Sequence, residues 1–206
     1  MNILAGKTIL LVDDESEVLE ALSEILDEYH TDTAATFEAA KACLETKTYD
    51  AAVLDIMGVR GLDLLEIATQ KRIPTVMLTA HGLSPENLSE AIKLGAKSYI
   101  PKAKMSEIDL FLEELFILQE KGIESSRNWF ARLSAYFDQR FGRGWKEKDK
   151  RFWSEFEQTH QVSQGGELFV PVMPSCSDLK IPWSYTQIVV TSRGNSPVIQ
   201  GGADDF

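Results

Sequence analysis

Apolar and polar positions follow two alternating rhythms through the first part of the chain. Thr8-Ile9-Leu10-Leu11-Val12 is an unbroken apolar run with β-branched members, the pattern of a strand buried on both faces. Val18, Leu22, Ile25, Leu26 and Tyr29 then recur at helical spacing. A weaker strand falls at 31–34, followed by a helix marked by Phe37, Ala40 and Leu44. Ala51-Ala52-Val53-Leu54 predicts a third strand, and Leu64, Leu65 and Ala68 a third helix. Pro74-Thr75-Val76-Met77-Leu78 predicts a fourth strand ending at Thr79. Ser84 and Pro85 then stand in the cap and first-turn positions of a helix that Gly95 stops. Lys97-Ser98-Tyr99-Ile100 is the fifth strand, and Ile108, Phe111, Leu112, Leu115 and Leu118 mark the fifth helix. Five β/α units with short connections predict an α/β fold, a doubly wound five-stranded parallel sheet with helices on both faces.

Past residue 122 the rhythm changes. Trp129, Phe130, Leu133, Phe137 and Phe141 share one helical face, Gly142 and Gly144 break that helix, and Trp145, Phe152, Trp153 and Phe156 predict another. From about Gly165 turn formers dominate, with apolar islands at Leu168-Phe169-Val170 and Ile188-Val189-Val190. The expected organisation is a domain over 1–122, a helical aromatic-rich extension over 123–160, and an irregular tail with short extended segments over 161–206.

Charge sharpens this division. Of the net charge of -11, residues 1–122 carry all of it, with 11 Lys/Arg against 22 Asp/Glu, while 123–206 hold 10 of each. The acidic part is a poor surface for nucleic acid. Residues 127–151 hold eight Lys/Arg against Asp138, Glu147 and Asp149, which keeps nucleic acid open as a partner of that segment, although a solvated helical face is the plainer reading. No apolar run reaches membrane-spanning length, and the N-terminus lacks the basic and apolar regions of a signal peptide. Of the two cysteines, Cys43 falls in an apolar helical pattern and is expected to be a buried thiol; Cys176 lies in the tail. A soluble, cytoplasmic protein without a membrane partner is expected.

In such sheets, sites form beyond the carboxyl ends of the strands, which singles out Asp13, Asp14, Asp55, Thr79 and Lys102. Three carboxylates on two strand ends repel unless a cation neutralises them, and hard oxygen ligands of this kind suit Mg2+. A carboxylate can also accept a phosphoryl group as a nucleophile, while the Thr79 hydroxyl and the Lys102 ammonium would meet the phosphoryl oxygens. Taken singly, each has a plainer explanation: a cap or turn for the aspartates and the threonine, a solvated lysine. Together they do not.

The ordered fragments Ile9-Leu10-Leu11-Val12-Asp13-Asp14-Glu15, Val53-Leu54-Asp55-Ile56-Met57, Met77-Leu78-Thr79-Ala80 and Gly95-Ala96-Lys97-Ser98-Tyr99-Ile100-Pro101-Lys102 resemble the receiver domain of bacterial response regulators, a flavodoxin-like fold. The resemblance covers about 1–122. It implies that Asp55 is the phosphoacceptor, served by a histidine kinase or histidine phosphotransfer protein. It also implies that Asp14, Asp55 and the Met57 carbonyl bind Mg2+ with Asp13 acting through water, that Thr79 and Lys102 hold the phosphoryl oxygens, and that Thr79 and Tyr99 form the switch. Met57 and His81 occupy the positions that tune phosphoryl lifetime in that family. The chain departs from the family in the loop Asp55-Ile56-Met57-Gly58-Val59-Arg60-Gly61, which lacks the usual proline and is about two residues short, and in Pro101, which precedes the lysine instead of following it. A phosphatase of the haloacid dehalogenase type would want an aspartate where Met57 stands. No enzyme of classical turnover is expected, and 123–206 shows no recognisable catalytic spacing. The output is expected to be an interaction or dimerisation module in the C-terminal part, with a homodimer among the outcomes; the alternative is a DNA-binding regulator acting through 127–151.

Overall fold

The computed structural model describes residues 6–80, 82–122 and 128–158. Strands and helices alternate as β1 (Thr8–Val12), α1 (Ser16–Ile25), β2 (His30–Ala34), α2 (Phe37–Thr46), β3 (Ala51–Leu54), α3 (Gly61–Gln70), β4 (Thr75–Thr79), α4 (Pro85–Lys93) and β5 (Ser98–Pro101). A 3-10 turn over Lys102–Glu107 leads into α5 (Ile108–Glu120). The extension contributes α6 (Asn128–Phe141), a second 3-10 turn over Trp145–Asp149, and α7 (Lys150–Gln158).

The strands form one parallel sheet in the order β2-β1-β3-β4-β5. Ile9, Leu10 and Leu11 in β1, and Ala51 through Leu54 in β3, are wholly buried, as continuous apolar runs under helices on both faces require. Hydroxyls cap the starts of α2 and α4, the latter as Ser84 and Pro85 predict. Thr36 Oγ1 accepts from the Ala39 amide at 3.2 Å and Ser84 Oγ from the Asn87 amide at 3.1 Å, with Pro85 in the first turn of α4.

Two expectations are corrected. Tyr29 does not belong to α1, which ends at Ile25; a turn from Leu26 follows, and Tyr29 packs its ring 6.2 Å from Phe116 of α5. Cys43 is only partly buried, because Ala40 and Leu44 supply the buried stripe of α2. The tail 161–206, with Cys176, lies outside the described residues, and among those described no helix is long and apolar enough to cross a membrane.

Met1–Ser154 form one compact unit, so the receiver-like region and the helices as far as Ser154 pack together; Glu155–Phe206 separate as a second, of which only the end of α7 is described. The aromatic stripe of α6 is a core, not a free surface. Trp129, Phe130 and Phe137 are buried, and Phe130 stacks on Trp153 at 5.6 Å while Trp145 meets Trp153 edge-on at 4.7 Å. The indole of Trp145 donates to Asp138 at 2.8 Å, which satisfies its buried N–H.

Candidate functional site: an acidic cleft at the carboxyl edge of the sheet

Register brings the two acidic strand ends together. Val12 pairs with Leu54, so Asp13 and Asp55 each stand one residue beyond adjacent parallel strands, and the Asp55 amide donates to the Val12 carbonyl at 2.8 Å. Both carboxylates are buried, Asp13 at 1% and Asp55 at 4% exposure, whereas Asp14 beside them faces solvent. Asp13 Oδ1 accepts from the Glu15 amide at 3.0 Å and from Lys102 Nζ at 3.0 Å. Its Oδ2 lies 2.8 Å from the same ammonium, but without hydrogen-bond geometry, so this buried oxygen has no hydrogen bond.

Lys102, at the start of the turn after β5, reaches back across the sheet edge. Its ammonium touches Asp13, lies 2.7 Å from Glu15 Oε1 and stands 3.6 Å from Asp55 Oδ1. Burial alone would lower its pKa; the hydrogen bonds to Asp13 and Glu15 and the Asp55 charge reverse this and hold the ammonium firmly protonated. Asp55 is pushed up to about 6, first by burial and then by the charges of Asp13 and Asp14, against the opposing pull of Lys102 and of the Met57 amide, which hydrogen-bonds its carboxylate. Asp13 is also raised, by burial.

The loop after β3 is tightly wound. Gly58 takes φ +67 and the Val59 amide donates to the Met57 carbonyl at 2.5 Å, closing a γ-turn. Arg60 also holds a positive φ, and its guanidinium pairs with Asp63 at 2.6 Å and lies 4.2 Å from the Phe37 ring. Gly61 answers a different need, since a Cβ there would fall 1.8 Å from the Asp55 carbonyl. Met57 is left 51% exposed at the mouth of a cleft of about 210 Å3 lined by Asp14, Glu15, Asp55, Met57, Gly58 and Lys102.

Thr79 is fully buried at the end of β4, and its Oγ1 accepts from the Gly82 amide at 3.0 Å. Tyr99 in β5 is fully buried too; its hydroxyl donates to the Gly82 carbonyl at 2.8 Å, which Asn87 Nδ2 also bonds at 2.8 Å. Burial, and then the Asp55 charge, raise the Tyr99 hydroxyl pKa, so it stays protonated as a donor. Its ring edge meets Phe137 of α6 at 6.5 Å. A contact chain thus runs from Thr79 through Gly82 and Tyr99 to the extension. His81 lies outside the described residues.

Among the described residues no three carboxylate, histidine or cysteine side chains gather as a ready-made metal cage. Mg2+ does not demand one, because it keeps several waters and takes one or two carboxylates. The donor set fits it: hard oxygens of Asp13, Asp14 and Asp55, one of them buried without a hydrogen bond, around a small open cleft. Glu15, Gly58, Gly82 and Asn87 were not singled out by strand-end reasoning. Glu15 could have been found as the next carboxylate after Asp14, whereas the other three act through backbone geometry that residue types do not announce.

Residues 9–112 match the response regulator receiver domain family. The chain belongs to that family. The transcriptional regulatory protein TcrA of Mycobacterium tuberculosis is 34% identical over 105 residues, covering 48% of this chain and 41% of that protein. The phosphate regulon transcriptional regulatory protein PhoB of Pseudomonas aeruginosa is 33% identical over 107 residues, covering 48% of this chain and 46% of that one. The chain thus spans less than half the length of these curated relatives. A CheY-like receiver domain protein from Methanospirillum hungatei superposes with a TM-score of 0.54 at 30% identity, covering 57% of this chain and 99% of the other. The receiver fold and its place in two-component signalling are therefore shared with these proteins.

The surface formed by α4, β5 and α5 is covered by the receiver's own extension. Lys93 of α4 pairs with Asp149 at 2.9 Å, Lys148 with Glu86 of α4 at 3.2 Å, and Arg132 of α6 with Glu114 of α5 at 3.4 Å. The two exposed pairs to α4 contribute little individually and Arg132–Glu114 is half-buried, so the Tyr99–Phe137 contact and the ring cluster behind it carry most of the docking.

Proposed function

We propose that this receiver accepts a phosphoryl group on Asp55 from a phosphohistidine of a histidine kinase or phosphotransfer protein. It passes the resulting change through Thr79 and Tyr99 to the helical extension. The observation that carries this reading is Asp55 itself, a buried carboxylate flanked by Asp13 and faced by Lys102 at 3.6 Å, in a cleft shared with Asp14. Attack by an Asp55 oxygen forms the O–P bond and breaks the P–N bond. The electron pair leaves on the imidazole, which takes up a proton. Asp14 and Asp55, with Asp13 through water, would hold Mg2+, which when bound offsets charge on the transferring phosphoryl group. Lys102 moves off Asp13 and Glu15 to meet one phosphoryl oxygen, and the Thr79 hydroxyl donates to another while still accepting from Gly82.

The protein acts as a phosphoacceptor and not as a turnover enzyme. Self-hydrolysis is slow, because Met57 is apolar and cannot orient a water; a phosphoryl lifetime of seconds would overturn this. The protein works in the cytoplasm, where its phosphodonor resides. The extension is the first element to feel the switch, since Phe137 packs on Tyr99. A DNA-binding output through 127–151 is the less favoured reading. Arg132 and Lys148 are spent on α5 and α4, Lys150 pairs with Glu147, and Lys146 lies over the rings of Phe130 and Trp145. The test is incubation with phosphoramidate and Mg2+ read by intact mass. One phosphoryl group is expected on the wild type and none on Asp55→Asn; no gain on the wild type overturns the proposal.

A further inference from the structure

We propose that Gly58 is a positioning residue for Asp14: the absence of a side chain at 58 is what lets the Asp14 carboxylate stand at the acceptor cleft and take a divalent cation. The inference rests on the metal-assisted reading of the site and concerns the loop that follows β3. A Cβ at position 58 would lie 2.3 Å from the carboxyl carbon of Asp14 and 2.3 Å from each of its oxygens. That is closer than any side chain approaches, so the carboxylate would have to swing away. Asp14 is exposed and its side chain is free to do so, hence the consequence falls on its position more than on the fold.

The geometry of the loop makes this contact count. Gly58 sits at the centre of the γ-turn with φ +67, a conformation that L side chains rarely adopt. The same turn spends one lone pair of the Met57 carbonyl on the Val59 amide. The carbonyl that would otherwise serve the cation is thus partly engaged, and the load shifts to the carboxylates of Asp14 and Asp55. Both line the cleft with Gly58. The loop lies close against Asp14, and glycine is what makes that approach possible.

The experiment is a Mn2+ titration followed by the loss of the free-ion electron paramagnetic resonance signal, on the full chain. It uses wild type, Gly58→Ala, Gly58→Asn, Asp14→Ala and the Gly58→Ala/Asp14→Ala double variant. Wild type should bind, and Gly58→Ala should bind about 10–100-fold more weakly, the usual effect of losing a partner that orients a ligand. Gly58→Asn should match Gly58→Ala, because both carry the Cβ, although asparagine tolerates the left-handed backbone; a clearly milder asparagine would assign the effect to backbone strain and overturn the proposal. The double variant should bind no more weakly than Asp14→Ala alone, since with the carboxylate gone the Cβ has nothing to displace. Wild-type affinity in Gly58→Ala, or full additivity in the double variant, overturns the role of Gly58 and leaves the metal reading standing. Absence of Mn2+ binding by the wild type overturns both.

Discussion

Replacing Asp55 by asparagine should stabilise the protein at neutral pH in the absence of divalent metal. Burial and the neighbouring Asp13 and Asp14 charges push the Asp55 carboxyl from 3.8 up to about 6. A carboxyl whose pKa is higher in the folded state binds more protons folded than unfolded between those two values. Stability then falls as pH rises through the window from about 4 to about 6, and the full penalty persists above it. A shift of this size corresponds to at most about 3 kcal/mol. Access to solvent through the open cleft, and loss of the 3.6 Å contact with Lys102 in the variant, reduce the net gain to about 1–2 kcal/mol. For a chain of this size that is a rise of roughly 3–7 °C in Tm. The assay is urea unfolding followed by far-ultraviolet circular dichroism in EDTA, at pH 7.5 and at pH 4.5, with reversibility checked at each. The variant should be more stable at pH 7.5, the difference should shrink toward pH 4.5, and Mg2+ should narrow it at pH 7.5 by stabilising the wild type alone. A variant no more stable than wild type at pH 7.5, or a difference independent of pH, refutes the claim that the Asp55 carboxylate is held at an electrostatic cost.

Removing the opposing charge should act in the other direction: Lys102→Ala leaves Asp13 and Asp55 without their shared cation and should lower stability at pH 7.5 by about 1–3 kcal/mol, less at pH 4.5, in the same urea assay. Truncation of the extension's anchor, Phe137→Ala, empties a fully buried site and should cost about 3–4 kcal/mol. Amide hydrogen exchange should then quicken in α6 while β1 and β3 remain protected; equal loss of protection throughout would show that the extension is not a separable element.

The fold was legible because parallel strands buried on both faces leave unbroken apolar runs, and Thr8–Val12 and Ala51–Leu54 are read directly from them. The site followed because topology turns strand ends into neighbours. Once β1 lies beside β3, Asp13 and Asp55 must meet, and Lys102 after β5 needs only its long side chain to join them. Backbone geometry was not legible. Residue type alone does not separate Gly58 from Gly61, yet one serves a positive φ beside Asp14 and the other a close approach to the Asp55 carbonyl. Pairing was not legible either: residue types show the excess of cations in 127–151, but not that Arg132 and Lys148 pair with Glu114 and Glu86.

These two failures share a cause, and it bears on how the receiver works. Composition counts groups, whereas the function depends on which group faces which. Lys102 is held at rest by Asp13 and Glu15, and Tyr99 is held by the Gly82 carbonyl on one side and Phe137 on the other. On the proposed reading, a phosphoryl group on Asp55 would compete for Lys102 and for the Thr79 hydroxyl; Thr79 and Tyr99 both bond Gly82, so a shift at the first would reach the second. Because Tyr99 is also part of the aromatic core that docks the extension, a change of charge at Asp55 need not cross solvent or a flexible linker to reach α6. The extension is thus placed to respond as part of the same packed unit, which a count of aromatic residues on a helical face could not distinguish from an isolated hydrophobic cluster.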